Sequence, residues 1–149
     1  RRTIRSDVDF VLTFEELMGR EVAKGVDFKS CEANKPLLEA TGAGRGFAVS
    51  GGGAQAVADA VKRLDPSREV KIASAQGLQE CKKMLMLAKA GKYNGYLLEG
   101  MGCPGGCVAG AGTLQPTAKS SAAIAKYKKD AELQNALDSK YEITLTLLD

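Results

Sequence analysis

Residues Leu98 to Gly112 read LEGMGCPGGCVAGAG, and no ordinary helix or strand runs far through such a stretch. Glycine stands at 100, 102, 105, 106, 110 and 112, and Pro104 removes a backbone donor among them. The stretch is therefore a loop whose backbone comes close to something. Cys103 and Cys107 sit inside it, separated by three residues. An apolar run from Tyr96 to Leu98 leads in, and a helix from Thr117 leads out. Successive N–H groups in a loop of this kind form nests for anions, including iron–sulfur centres. Two thiols beside such donors read either as half of a metal–sulfur site or as reduced thiols in a tight turn. The C-x3-C spacing is not the C-x2-C of zinc knuckles and redox motifs.

The rest of the chain bounds the chemistry. It has 149 residues, 44% of them hydrophobic, which suits one domain with a core. Lysine and arginine total 21 against 18 acidic residues, a net charge of +3, too mild to argue for a nucleic-acid partner. Lys126, Lys128 and Lys129 read as the solvated face of a helix. The chain has four cysteines and no histidine. That excludes imidazole-ligated zinc and every Ser-His or Cys-His nucleophile design within this chain. No signal peptide or membrane-length apolar run is visible, so the expectation is a cytoplasmic protein with no membrane partner, its thiols free or metal-bound. The start at Arg1, without Met, reads as a piece excised from something longer.

Taken in order, the chain alternates strand and helix signals. Asp7 to Leu12 reads as a buried strand. Thr13 caps a helix, with Glu16 completing a capping box; Phe14, Leu17, Met18 and Val22 give it an apolar face, and Gly25 can end it. Thr41 to Gly46 is a glycine-rich loop, Phe47-Ala48-Val49 a short strand, and Ser50 to Gly53 the entry to a helix over 54–64 with Val57, Ala60, Val61 and Leu64 buried. Val70 to Ala75 is a strand. A helix over 78–90 follows, with Cys81, Leu85 and Ala88 on its apolar side. Tyr96 to Met101 is the strand that delivers the cysteine loop. A helix runs from Thr117 to about Ser139, and Tyr141 to Leu148 alternates as a last strand. The whole predicts a single α/β lobe over 1–149, a three-layer sandwich with a mostly parallel sheet. Ligands in such sheets sit at the carboxyl ends of the strands, so the loops after Leu12, Val49, Ala75 and Met101 should share one edge.

Other motifs are weaker. Cys81 reads as a small core residue and Cys31 as a loop residue without a role. The glycines at 42–46 and 51–53 do not match dinucleotide or phosphate-loop spacing; tight strand-to-helix packing explains them as well as an anion site does. Glu99 and Met101 fall on one side of their strand. They read as a solvated carboxylate and a buried thioether, or as a methionine packed against a metal ligand.

Together the motifs resemble a known family. Glu99-x-Met101-x-Cys103-Pro104-Gly105-Gly106-Cys107-x-x-Gly110-x-Gly112 is similar to the third cysteine motif of the iron-only hydrogenases. Asp7 to Leu17 and the segment Thr41-Gly42-Ala43-Gly44-x-x-Phe47 with Gly51-Gly52 resemble two further stretches of that family, and the likeness covers residues 6 to 116. It implies an oxidoreductase that interconverts dihydrogen with protons and electrons at the H-cluster, a 4Fe-4S cubane joined to a diiron unit. By position it implies that Cys103 ligates the cubane and that Cys107 ligates it and bridges to the diiron unit. Met101 would pack near that unit, and Phe47 and Ala48 would line its pocket. The other two cluster cysteines belong to motifs upstream of this lobe. The implied partners are therefore the other lobe of the catalytic domain and an electron carrier such as ferredoxin, in an anaerobic setting. The fragment alone would be inactive and without its cluster.

The sequence also departs from the family pattern. Thr113 and Leu114 intervene before Gln115-Pro116, where the pattern passes almost directly to Gln-Pro. Ala48 and Ala111 stand at glycine positions, and the segment from Leu64 to Val70 is short. These departures suit a divergent branch. Alternatives are a hydrogen- or redox-sensing, regulatory or assembly protein without turnover, and a small-molecule-binding α/β domain using its glycine loops as an anion site.

Overall fold

A computed structural model describes residues 9–32 and 39–141. The fold is α/β. Its sheet, among the described residues, is a parallel pair: β1 (Lys71–Gln76) and β2 (Tyr96–Met101), in the register Ser74 opposite Glu99 and Gln76 opposite Met101. Five helices accompany it among the described residues: α1 (Phe14–Ala23), α2 (Gly42–Arg45), α3 (Gly52–Leu64), α4 (Leu78–Lys89) and α5 (Thr117–Lys129). The connection from β1 to its parallel neighbour β2 runs through α4, as a parallel pair requires. Successive residues of β2 face opposite ways. Glu99 reaches the first turn of α3, whereas a side chain built on Gly100 would meet Cys81 and Met84 of α4. The two helices thus flank opposite sides of this strand.

Local signals place several elements where expected. Thr13 and Glu16 form the capping box of α1: Glu16 N–H donates to the Thr13 hydroxyl at 3.2 Å, and Thr13 N–H donates to the Glu16 carboxylate at 2.7 Å. Gly25, just past that helix, has φ 69°. The strands over 71–76 and 96–101 and the helix over 78–89 also lie where the sequence puts them.

Four expectations are corrected. Residues 9–12 form no strand: Phe10 and Val11 are 85% and 86% exposed, and among the described residues they pair with no strand. The proposed strand Phe47-Ala48-Val49 is instead a 3-10 turn, Gly46–Ala48, continuing directly from the Thr41-capped α2. Here the turn chemistry of Thr41 and the glycines outweighs the β preference of three residues. The buried side of α3 is Ala54 and Ala56 rather than Val57 and Leu64, and that of α4 is Met84 rather than Leu85. The core is made of small residues, and the elements approach through alanine and glycine. Finally, α5 stops at Lys129 rather than Ser139. Beyond it the backbone turns to serve α2: Gly42 N–H donates to Leu133 C=O at 2.7 Å and Ala43 N–H to Gln134 C=O at 2.9 Å. Of the last expected strand only Tyr141 lies within the described residues.

Exposed ion pairs tie the segment after α5 to the rest. Arg63 of α3 bonds the Asp138 carboxylate and holds it below the usual carboxylate range, with help from Asn135 N–H. Lys140 and Tyr141 do the same for Glu39. A carboxylate depressed in the folded state stabilises the fold above its ordinary pKa, and that stabilisation is lost as pH falls through the lower folded value. The thermal midpoint should therefore decline as pH drops below about 4. Asp138→Asn should remove part of this acid-dependent decline, and high salt should shrink it because the pair is exposed; circular-dichroism melts across pH check both.

Candidate metal-ligand loop

The cysteine loop leaves the carboxyl end of β2, and three other segments meet it there. At Gln76, the end of β1, the side-chain carbonyl accepts from Gly105 N–H at 2.7 Å, and the following Gly77 N–H donates to Met101 C=O at 2.8 Å. After Val49, Ser50 N–H donates to Gly105 C=O at 3.3 Å. A Cβ on Gly106 would lie 2.5 Å from Ser50 N and 2.8 Å from Ala48 O. After Leu12, Thr13 presses on Gly112 so closely that a Cβ there would fall 2.4 Å from Thr13 Cβ. The loops expected to share one edge do so. Gly106 and Gly112, with φ 91° and 75°, serve approach of chain to chain.

Cys103 and Cys107 are both exposed free thiols. Cys103 C=O accepts from Gly106 N–H, and Cys107 begins a short 3-10 turn, Cys107–Ala109. Beside Cys107 lies a cavity of about 400 Å³, lined by Phe14, Ala48, Val108, Thr113, Leu114, Gln115 and Ser120. The structure thus brings together Cys107 and Ala48. Met101 is half-buried at the end of β2 and Phe47 is 54% exposed; neither lies on the wall of this cavity. Cys81 is half-buried, its thiol between Ala75 C=O at 3.7 Å and Met101 C=O at 3.6 Å, where it seals the ends of both strands. Cys31 is exposed and donates to Asp27 C=O at 3.3 Å. Among the described residues no cluster of three or more Cys, His, Asp or Glu side chains is arranged to hold a metal. The donor set of this loop is two thiols. That fits half of a four-thiolate iron–sulfur site and does not complete one.

Glu99 departs most from the sequence reading. It is not solvated. Its Oε1 accepts from Gly53 N–H at 3.0 Å and Ala54 N–H at 3.1 Å, capping the amino end of α3. Its Oε2 is buried with no partner among the described residues. The N-cap residue of α3 is Gly51, which has no side chain with which to cap. A negative charge suits a helix amino end. The anion favoured by this glycine turn is therefore the chain's own carboxylate, which fills the place that an external anion would take. A helix entered through three glycines needs an acceptor from elsewhere, and that was the available sequence signal. Nothing comparable in the sequence announced Leu114 or Ser120 as cavity residues.

Gly106→Ala should destabilise the chain by about 2–4 kcal/mol, because it adds a left-handed residue and a backbone collision together. Gly19→Ala, in α1 with open space around it, should stabilise by about 0.5–1 kcal/mol through helix propensity. Urea titrations of both variants measure the contrast.

The family described as iron only hydrogenase large subunit, C-terminal domain, matches residues 1–111. The periplasmic [Fe] hydrogenase large subunit of Nitratidesulfovibrio vulgaris (strain Hildenborough) is 31% identical over 135 residues, an overlap that covers 71% of this chain and 32% of that protein. The chain thus spans about a third of the length of this relative. The glycine-lined C-x3-C loop, its neighbours at the strand ends and the match over residues 1–111 lead to one conclusion: the chain belongs to the family formed by the C-terminal domain of iron-only hydrogenase large subunits.

Proposed function

We propose that this chain is one lobe of an iron-only hydrogenase catalytic domain and supplies two of the four cluster cysteines. The observation that carries the reading is the loop Gly102 to Gly112. It presents two exposed thiols at the strand ends beside an apolar cavity, in a chain of this family. Cys103 and Cys107 would hold the 4Fe-4S cubane, with Cys107 bridging to the diiron unit of the H-cluster. When bound, the cluster supplies the electron transfer and the hydrogen chemistry. The chain's own part is to hold the two thiols and to give the cavity beside Cys107 an apolar wall of Ala48, Val108 and Leu114. Phe47 and Met101 would complete the pocket once the rest of the domain is in place.

The apolar surface supports a missing second lobe. Phe14 and Val22 of α1 are 63% and 68% exposed, and Phe10, Val11 and Leu12 before them are exposed too. Exposed apolar side chains in this number suit a covering partner. Here the occupant would be the upstream lobe carrying the other two cysteines. An acceptor such as ferredoxin would exchange electrons with the whole protein. Among the described residues no helix is long and apolar enough to cross a membrane. We place the chain in the cytoplasm, where thiols stay reduced or metal-bound, whereas the relative's name places that protein in the periplasm.

A second reading, a sensing or regulatory member without turnover, is favoured by one observation. Thr113 and Leu114, where the family pattern passes almost directly to Gln-Pro, line the cavity beside Cys107. The anion-site reading of the glycine loops loses support, since Glu99 already occupies the amino end of α3.

In the full-length protein, Cys103→Ser combined with Cys107→Ser should abolish cluster iron and the infrared bands of carbonyl and cyanide ligands. Unchanged iron in the double variant would refute the ligand assignment. A parent that holds iron through these cysteines but shows no carbonyl or cyanide bands would favour the regulatory reading.

A further inference from the structure

We propose that Glu99 is a positioning residue for the two thiols, acting through the amino end of α3. The role concerns the geometry of the loop, and it stands whether or not the thiols hold a cluster. Glu99 lies four residues before Cys103, on the strand that delivers the loop. Its Oε1 takes the N–H groups of Gly53 and Ala54. The backbone just ahead of those two residues then touches the loop again: Ser50 N–H donates to Gly105 C=O, and Gly106 lies flat against Ala48, Val49 and Ser50.

A closed circuit results. It runs from Glu99 across to α3, back through Ser50 to Gly105, and along the loop to Glu99. Cys103 lies inside the circuit, and Cys107 follows immediately after Gly106. Further ties come from Thr13 against Gly112 and from β1, through Gln76 and Gly77. The β1 ties set the height of the loop above the sheet. The Glu99 circuit ties it to α3, on the side where Ala48 and Cys107 line one cavity.

Two features show that the contact is built. Gly51 offers α3 no side-chain cap, so its amino end depends on the distant carboxylate. Gly53 makes room for that carboxylate, since a Cβ there would lie 2.9 Å from Glu99 Oε1. Alanine, the better helix former, would push the carboxylate away.

Hydrogen–deuterium exchange on the whole chain tests this, read over residues 102–112, together with the ratio of Cys103 to Cys107 alkylation by N-ethylmaleimide. Glu99→Ala removes both hydrogen bonds to Oε1 and should speed loop exchange at least about fivefold and change the alkylation ratio, with β1 and α4 unaltered. Glu99→Gln keeps an acceptor oxygen and should restore both readouts to within about twofold of the parent chain. Gly53→Ala should reproduce the Glu99→Ala effect although Glu99 is intact. Loop exchange and alkylation unchanged in Glu99→Ala would overturn the proposal, and so would a Glu99→Gln variant as loose as Glu99→Ala. If Glu99→Ala unfolds, exchange rises in α4 as well, and Gly53→Ala decides: a tight loop in that variant overturns the proposal.

Discussion

At Gly106 two backbones meet without a side chain between them. Ser50 N and Ala48 O stand where a Cβ would be, and Ser50 N–H bonds the neighbouring Gly105. The side of the site that holds Ala48 follows from this contact. It brings the turn after α2 against the loop after β2, so that Ala48 and Cys107 share a cavity wall. It uses the left-handed backbone that glycine alone adopts without strain. At the other end of the loop Gly112 lets the side chain of Thr13, the cap of α1, close in.

The electrostatics of the site are largely internal. The amino end of α3, a natural place for an anion, is filled by the Glu99 carboxylate. Several N–H groups of the cysteine loop are also bonded within the protein: Gly105 to Gln76, Gly106 to Cys103 C=O and Gly110 to Cys107 C=O. A loop that reads as a nest for a ligand thus spends many of its donors on its own shape. What it leaves at the surface is two thiols. That division of labour suits a site whose ligand is held by sulfur, with the backbone keeping the sulfurs in place.

The composition of the core points the same way. Among the described residues no large side chain is fully buried; the buried apolar residues are Met84 and alanines at 43, 54, 56, 75 and 131. Large apolar residues are instead on the surface, in α1 and ahead of it. Alanine contacts let elements approach closely but remove little apolar area each. A fold with so many large apolar residues at its surface gains much from covering that face.

Local bonding made much of this legible in the sequence. The capping box of Thr13 and Glu16 rests on neighbouring residues, and the two strands, α4 and the cysteine loop carry local patterns, so all could be read directly. So could the gathering of loops at the strand ends, because parallel topology imposes it. Other features depended on distant partners and were invisible. Phe47 to Val49 has no strand neighbour among the described residues and turns, α5 ends where residues 133–134 bond α2, and Glu99 finds helix donors 46 and 45 residues away in the chain. The residue types at 99, 103, 106 and 107 were set by the sequence. Which of them would face solvent, which would cap a helix and which would touch backbone was decided only when the chain folded, because hydrogen bonds and close packing between remote segments choose their partners in three dimensions.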